Sequence, residues 1–467
     1  MGDLQLDKWG YQVNTSSESC ISAINSYYIQ VLSYGRKRDM ILDAPKADPD
    51  CVLGNILAAH FLFSSDSSKA SQLLDAAKSN LENATTYEKA VFDAVSYLIS
   101  PARDDDSAVE LHYKLLKDFP RDLVSLKRAQ VVCFYMGRPD LSLKLVQQVL
   151  PENEREDYIY GMLAFPLLEL GRMVDAEKAA KEGFEINKED AWVQHALCHV
   201  YQYHCRFKEA VTFMGECSPS WSSLSSFMYT HNWWHVALCC LEGHSPITKV
   251  QEIYDKHIWQ ELEKSDSVPA EVYLNAVGLL LRVYVRGEIK VFEDRLKILA
   301  GCLADQGVWY LEWHLDVLTV WALTYTGDTT KAEDLLKGLK SRHSRMSKKK
   351  QHIMHKGLLL AEAMYEYGKG ENEKALELLG SQFDAMECKI IGASDEQVDV
   401  FNEIWITLLI SAGQAIQAIE TIERQLKKRE GAPFLWRLLE KCYGMLGRPE
   451  AASIGEKASN LEVAYFN

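Results

Sequence analysis

The sequence predicts an all-α fold, a long array of paired amphipathic helices stacked one on the next. Three observations predict it. An apolar stretch, a Gly-like turn residue often followed by Arg, and an Ala five residues after the turn recur along the chain. The turns at Gly137, Gly171 and Cys205 are 34 residues apart (171 − 137 = 34; 205 − 171 = 34), and so are those at Gly413 and Gly447. Apolar residues after each turn recur at helical spacing, as in Met173-Val174-Asp175-Ala176-Glu177-Lys178-Ala179-Ala180. Neither helix of so short a unit can bury its apolar face alone, so units must stack.

Residues 1–50 fit the period poorly and read as an N-terminal cap with one helix near Ser19–Tyr34. Residues 51–467 read as one continuous solenoid of about ten or eleven helix pairs. Ala108 lies 34 residues before Ser142, which lies 34 before Ala176, so the period extends back through Pro120. Gly171 ends one helix, and Ala176 lets the next approach its neighbour. Cys205 and Ala210 repeat the arrangement. Residues 216–230 are Ser-rich and read as a loop leading into a helix at His231. The pattern returns at Gly327 with Ala332, Gly370 with Ala375, Gly413 with Ala418, and Gly447 with Ala452. Between Gly327 and Gly370 lies a basic run, Arg342 to Lys350, which reads as a solvated loop; a nuclear signal or an acidic-partner site is the functional alternative.

Composition fits this picture. The chain has 467 residues, 47% hydrophobic and 25% charged, which is ordinary for a folded protein. A net charge of −15 argues against broad nucleic-acid binding. No apolar run is long enough for a membrane span. Eleven cysteines, an odd number with no C-x-x-C, sit mostly among apolar residues, as reduced thiols do in a cytoplasmic protein. The polar, acid-bearing N-terminus does not read as a signal peptide. Leu6 stands where myristoylation at Gly2 would want Ser or Thr.

These repeats resemble the tetratricopeptide repeat superfamily over most of residues 51–467, and the resemblance implies a right-handed superhelical solenoid. Within it the chain is similar to a plant-type relative of the tetratricopeptide repeat protein 38 family. That closer likeness is carried by Ile186-Asn187-Lys188-Glu189-Asp190-Ala191-Trp192 with His195 and His199, by His231-Asn232-Trp233-Trp234-His235, and by Asp399-Val400-Phe401-Asn402-Glu403. The family carries a His two residues after an Asp in a later helix; here Asp316 is followed by Val317 and Leu318, so no role passes to that position.

The most distinctive residues are four histidines. His195 and His199 are i, i+4, as are His231 and His235, so each pair shares one helix face. The resemblance implies that both helices are first helices lining a concave groove, where Trp192, Trp233, Trp234, Tyr201 and Tyr203 accompany them. Three readings stand. The quartet binds a transition metal such as zinc or iron. Or its members, His195 and His235 first, serve as acid/base or hydrogen-bonding groups in a small-molecule pocket. Or they are packed residues fixing the repeat geometry. Asp190, Glu312, Asp316 and Glu403 are the candidate carboxylate partners, each with a helix-cap reading beside it. His314 lies on an aromatic-rich helix read as core. Asp399 and Glu403 are expected to face the groove, and Phe401 and Trp405 the core. Phosphate loops and the nucleophile elbow are absent. The positions of a chaperone-tail carboxylate clamp hold Tyr160, Phe165, Trp192 and His195.

The function expected is a binding module or scaffold that holds a protein or peptide in its groove through Trp192, His195, His199, His231, Trp234, His235, Glu312 and Asp316. The alternative is an enzyme or a metal- or cofactor-binding protein built on the four histidines. No nucleic-acid or membrane partner is expected, and no cofactor is firmly implied.

Overall fold

The structure, a computed structural model, describes residues 4–466. Gly2, on which the lipidation expectation falls, lies outside the described residues. The chain is all-α apart from one antiparallel hairpin, Leu4–Leu6 with Gln12–Asn14, and an isolated bridge between Gly35 and Leu224. No helix among the described residues is long and apolar enough to cross a membrane.

The recurring turn has a common physical cause. Gly137, Gly171, Gly327, Gly370, Gly413 and Gly447 all have φ between 63° and 93°, the left-handed conformation that ends a helix without a Cβ penalty. The residue after each turn donates its N–H to the carbonyl five positions back: Arg138 to Cys133 at 2.9 Å, Arg172 to Leu167 at 2.9 Å, Asp328 to Leu323 at 2.8 Å. Cys205 adopts the same conformation (φ 57°), and its neighbour Arg206 donates to Tyr201 at 2.8 Å. The alanines five residues on, Ala176, Ala210, Ala332, Ala375 and Ala418, are fully buried where the second helix of the pair meets its neighbours. Ala452 alone of the set is exposed.

Two further left-handed turns, at His244 and Gly287, close helix pairs whose spacing departs from 34. The glycine beside His244, Gly243, does not take the left-handed conformation. A Cβ there would stand 3.0 Å from the Cβ of Phe207, so close packing explains that glycine.

Contacts divide the chain into two compact units. The first runs through Ala196 and includes Ser223–Ser225; the second comprises Leu197–Ser222 and Ser226 onward. In the first, the hairpin turn is held by Asp7, whose Oδ1 accepts from the N–H groups of Trp9 and Tyr11 at 2.9 Å each. The helix Glu18–Leu32 follows, capped by Ser17, close to the Ser19–Tyr34 expected. Helix pairs then alternate regularly, for example Leu123–Tyr135 with Pro139–Val149 and Ile159–Glu169 with Met173–Ile186.

In the second unit the first helices are Ala191–Tyr203 (from Leu197 on), Ser226–Glu242, Pro269–Val285, Trp313–Tyr325, Lys348–Gly368, Asp395–Ser411 and Pro433–Met445. The late repeats turn back on the early ones. Asp395–Ser411 packs against Pro269–Val285, the Phe207 and Tyr465 rings meet edge-on at 4.9 Å, and the Tyr465 hydroxyl donates to Gly431 at 2.7 Å.

Two loop expectations are corrected. Residues 216–230 are mostly helical: Phe207–Cys217 runs into a 3-10 turn, Ser218–Ser223, and the next helix begins at Ser226, because Thr230 bonds back to the Ser226 carbonyl at 2.7 Å instead of breaking the helix. The basic run belongs to the ends of two helices, Thr329–Ser344 and Lys348–Gly368, the second capped by Ser347. All eleven cysteines are free, ten of them buried, as expected.

Candidate functional site

The second unit gathers a polar cluster on the inward faces of its first helices. His199 extends from Ala191–Tyr203, His231 and His235 from Ser226–Glu242, Asn275 and Arg282 from Pro269–Val285, His314 from Trp313–Tyr325, and Glu396, Asp399 and Glu403 from Asp395–Ser411. A capping box fixes the start of the last helix. Ser394 accepts from the Gln397 N–H, and Gln397 accepts from the Ser394 N–H at 2.9 Å. This places Glu396, in the first turn, against the histidines.

The histidines are not groove-surface residues. His199, His231 and His235 expose 3% or less, and Trp234 2%. The Asp395–Ser411 helix supplies Glu396, whose Oε2 lies 2.9 Å from His199 Nδ1 and 3.4 Å from His235 Nδ1. The two rings are 4.5 Å apart. Gln202 stands beside them: its Oε1 is 3.3 Å from His235 Nδ1, and its Nε2 donates to Glu242 at 3.0 Å.

His231 is held differently. Asn275 donates its amide to Thr230 Oγ1 at 2.8 Å, which points its carbonyl oxygen at His231 Nδ1, 2.9 Å away. The His231 proton therefore sits on Nδ1. Its ring lies flat against Trp234 and Phe227. Burial holds its pKa down at about 3, against the help of Asn275, so it is neutral at pH 7.

Around these rings runs an ion network. Arg286 makes a two-pronged pair with Glu403 at 2.7 and 2.8 Å. Arg429 binds Glu242 at 2.6 Å and stands 3.6 Å from Asp399. Burial opposes ionisation of Glu242, but Arg429 and Arg286 outweigh it and its pKa falls. Asp399 rises to about 6, through burial and then the neighbouring Glu403 charge.

Arg282 is the exception. It is 3% exposed, and among the described residues its side chain makes no hydrogen bond or ion pair; its guanidinium stands over the Trp234 ring, 5.3 Å from the centroid. His314 beside it has a buried Nδ1 without a partner, and the Trp234 indole N–H is likewise unmatched. Burial lowers the pKa of His314 to about 3, with Arg282 and His231 adding to the effect.

The remaining expected residues lie elsewhere. His195 belongs to the first unit, stacked on Trp192 at 4.5 Å; Trp192 also meets Phe165 and Tyr34. Asp190 caps the helix, its Oδ1 accepting from Trp192 and Val193. Asp316 does not face the histidines: its Oδ1 accepts from the Tyr310 N–H at 3.0 Å, and burial raises its pKa to about 7. Glu312 precedes the Trp313–Tyr325 helix. Phe401 and Trp405 are core, as expected, and Glu403 is tied to Arg286 rather than facing an open groove. Arg282, Glu396, Gln202, Asn275 and Arg429 were not legible as site residues. Arg282 did carry a signal, as a lone cation in the apolar run Leu279-Leu280-Leu281-Arg282-Val283.

No family model matches the chain. Among solved structures it is similar to a human IFIT1 dimer with m7Gppp-AAAA, at 14% identity and TM-score 0.38, over 97% of this chain and 92% of that one. It is also similar to Naa15/Naa10 bound to HypK, at 11% identity and TM-score 0.23, over 95% of this chain and 63% of that one. Likenesses at this level transfer no ligand and no activity.

Proposed function

We propose that the protein is a helix-repeat binding module whose second unit receives the carboxylate or phosphate group of a small ligand at Arg282. The observation that carries the reading is a buried guanidinium with an unfilled fork of donors. Arginine cannot shed its charge, and a buried cation without hydrogen-bond partners costs several kcal/mol. The field of Glu403, Glu242 and Asp399 offsets part of that cost, but the first two carboxylates are already bonded to Arg286 and Arg429. A ligand anion would accept from Arg282 in the two-pronged geometry that guanidinium favours. Trp234 would form the wall of the site, and His314 a neighbouring polar contact.

A peptide laid along this inner face is the weaker reading. The Asp395–Ser411 helix already packs there, and the histidines and Trp234 are covered. A protein partner, the wider expectation for repeat arrays, is left to other faces. The net charge of −15 does not weigh against a local anion site, because a buried Arg282 acts at hydrogen-bond range.

The test is thermal unfolding of the full chain with succinate, citrate, inorganic phosphate or a mononucleotide. A ligand at a hundred times its Kd stabilises by about 2.7 kcal/mol, a rise of several degrees. At least one of these anions is expected to raise the Tm of wild type, less so that of R282K, and not that of R282M. The reading fails if none does, or if R282M responds equally.

A further inference from the structure

We propose that His199, His235 and Glu396 form a site for one divalent first-row transition ion of the zinc or iron(II) class. The site lies wholly within the second unit and does not rest on the anion reading at Arg282.

Three helices far apart in sequence deliver the donors to one point. All three donor atoms lie within 4.8 Å of one another. The spacing is that of ligands around a metal. With metal–ligand bonds of about 2.1 Å, neighbouring donors stand about 3.0 Å apart at a right angle and about 3.4 Å apart at the tetrahedral angle. The Glu396 oxygen lies 2.9 Å from one imidazole nitrogen and 3.4 Å from the other.

The same distances suit a hydrogen bond, so alignment decides between the two. Glu396 Oε2 is fully buried yet accepts no aligned hydrogen bond, although two ring nitrogens are this close. A carboxylate oxygen facing imidazole nitrogens off the hydrogen-bond direction is stabilised by a cation placed among them. Gln202 Oε1 lies 3.3 Å from His235 Nδ1 in hydrogen-bond geometry; a metal at Nδ1 replaces the proton of that bond and leaves Oε1 as a fourth candidate donor. Its Nε2 is held by Glu242, which keeps Oε1 turned toward His235 Nδ1. Such an outer hydrogen bond orients ligands and tunes affinity.

The donor set defines the class of ion. Two imidazoles, one carboxylate and an amide carbonyl suit zinc or iron(II), and two histidines with one carboxylate leave positions open for water or a ligand atom. No thiolate takes part: Cys198 and Cys239, on the same helices, pair with each other, and burial holds the Cys239 thiol protonated.

The experiment uses the tag-free full chain, stripped with a chelator and titrated with Zn(II) against a chromophoric competitor, then with Co(II) and, without oxygen, Fe(II). About one equivalent is expected to bind, with sub-micromolar affinity for Zn(II), and Co(II) should give the d–d absorption of a four- or five-coordinate site. H199A, H235A and E396Q should each weaken binding by tenfold or more, while the surface variant H352Q binds like wild type. Circular dichroism checks that the variants fold. X-ray absorption on the zinc-loaded wild type, which needs no variant, should show two imidazoles in the first shell. The proposal is overturned by less than a tenth of an equivalent bound, by affinity unchanged in all three variants, or by a first shell without imidazole. Preference of the site for Fe(II) over Zn(II) would name the ion without changing the site.

Discussion

At the level of single residues, the second unit keeps polar side chains where apolar ones would pack more cheaply. His231 and His314 are buried and neutral, each with a pKa of about 3, while burial lifts Asp316 to about 7 and Asp399 to about 6. The two kinds of group act on stability in opposite directions. A histidine lowered from 6.5 to about 3 leaves the unfolded chain holding the extra proton between those values, so its contribution is lost as pH falls. An aspartate raised from 3.8 to about 7 leaves the folded chain holding the extra proton, so its contribution is lost as pH rises through that window. Between pH 4 and 6 they oppose each other, by about 1.4 kcal/mol per pH unit for each proton. H314Q should therefore shift the slope of stability against pH downward relative to wild type, and D316N upward. Chemical denaturation from pH 4 to 6 reads this directly, and slopes unchanged or moving in the same direction would contradict the account. The histidines were legible in the sequence because i, i+4 pairs mark a helix face. Glu396 was not, since nothing local ties it to His199 almost two hundred residues away.

At the level of elements, the repeat was legible because its cause is local. A left-handed residue, a backbone bond across the turn and a small residue five positions on leave a mark in every unit, even where Cys205 replaces glycine. The departures were missed for equally physical reasons. The Ser-rich stretch before His231 looks like a loop by composition, yet its hydroxyls bond back along the chain, as Thr230 does to Ser226 and Ser220 to the Cys217 carbonyl at 2.8 Å. His244 takes the left-handed turn conformation without being glycine, so no residue type marks that turn in the sequence. The capping box at Ser394 matters most for the site, since it sets where Glu396 points. S394A removes one cap hydrogen bond, worth about 1 kcal/mol. It should lower the Tm modestly and weaken Zn(II) binding several-fold while leaving H352Q-type surface behaviour untouched. Equal Zn(II) affinity in S394A would mean that the cap does not position Glu396.

At the scale of the whole molecule, the period implies one continuous array with a concave groove, and the described residues form two compact units. In the second unit the face that carries the histidines is covered because its late repeats return to its early ones, through Glu396 at His199, Arg429 at Glu242 and Tyr465 at Phe207. A period counts repeats and gives their turns; it holds no information about which distant repeats meet. That return converts a surface into an interior. The interior is charged and nearly balanced, and among its buried polar atoms Arg282 Nε, the Trp234 indole N–H and His314 Nδ1 stand unmatched side by side, as Glu396 Oε2 does beside His199 and His235. Under the proposed function a small anionic ligand would complete it at Arg282. The most direct measurement is a crystal structure of the full chain grown with the anion that raises its Tm most. The account predicts density for that anion within hydrogen-bond distance of the Arg282 guanidinium, against the Trp234 ring. It would be contradicted by Arg282 turned to pair with Glu403 or Asp399, with the anion bound elsewhere or absent.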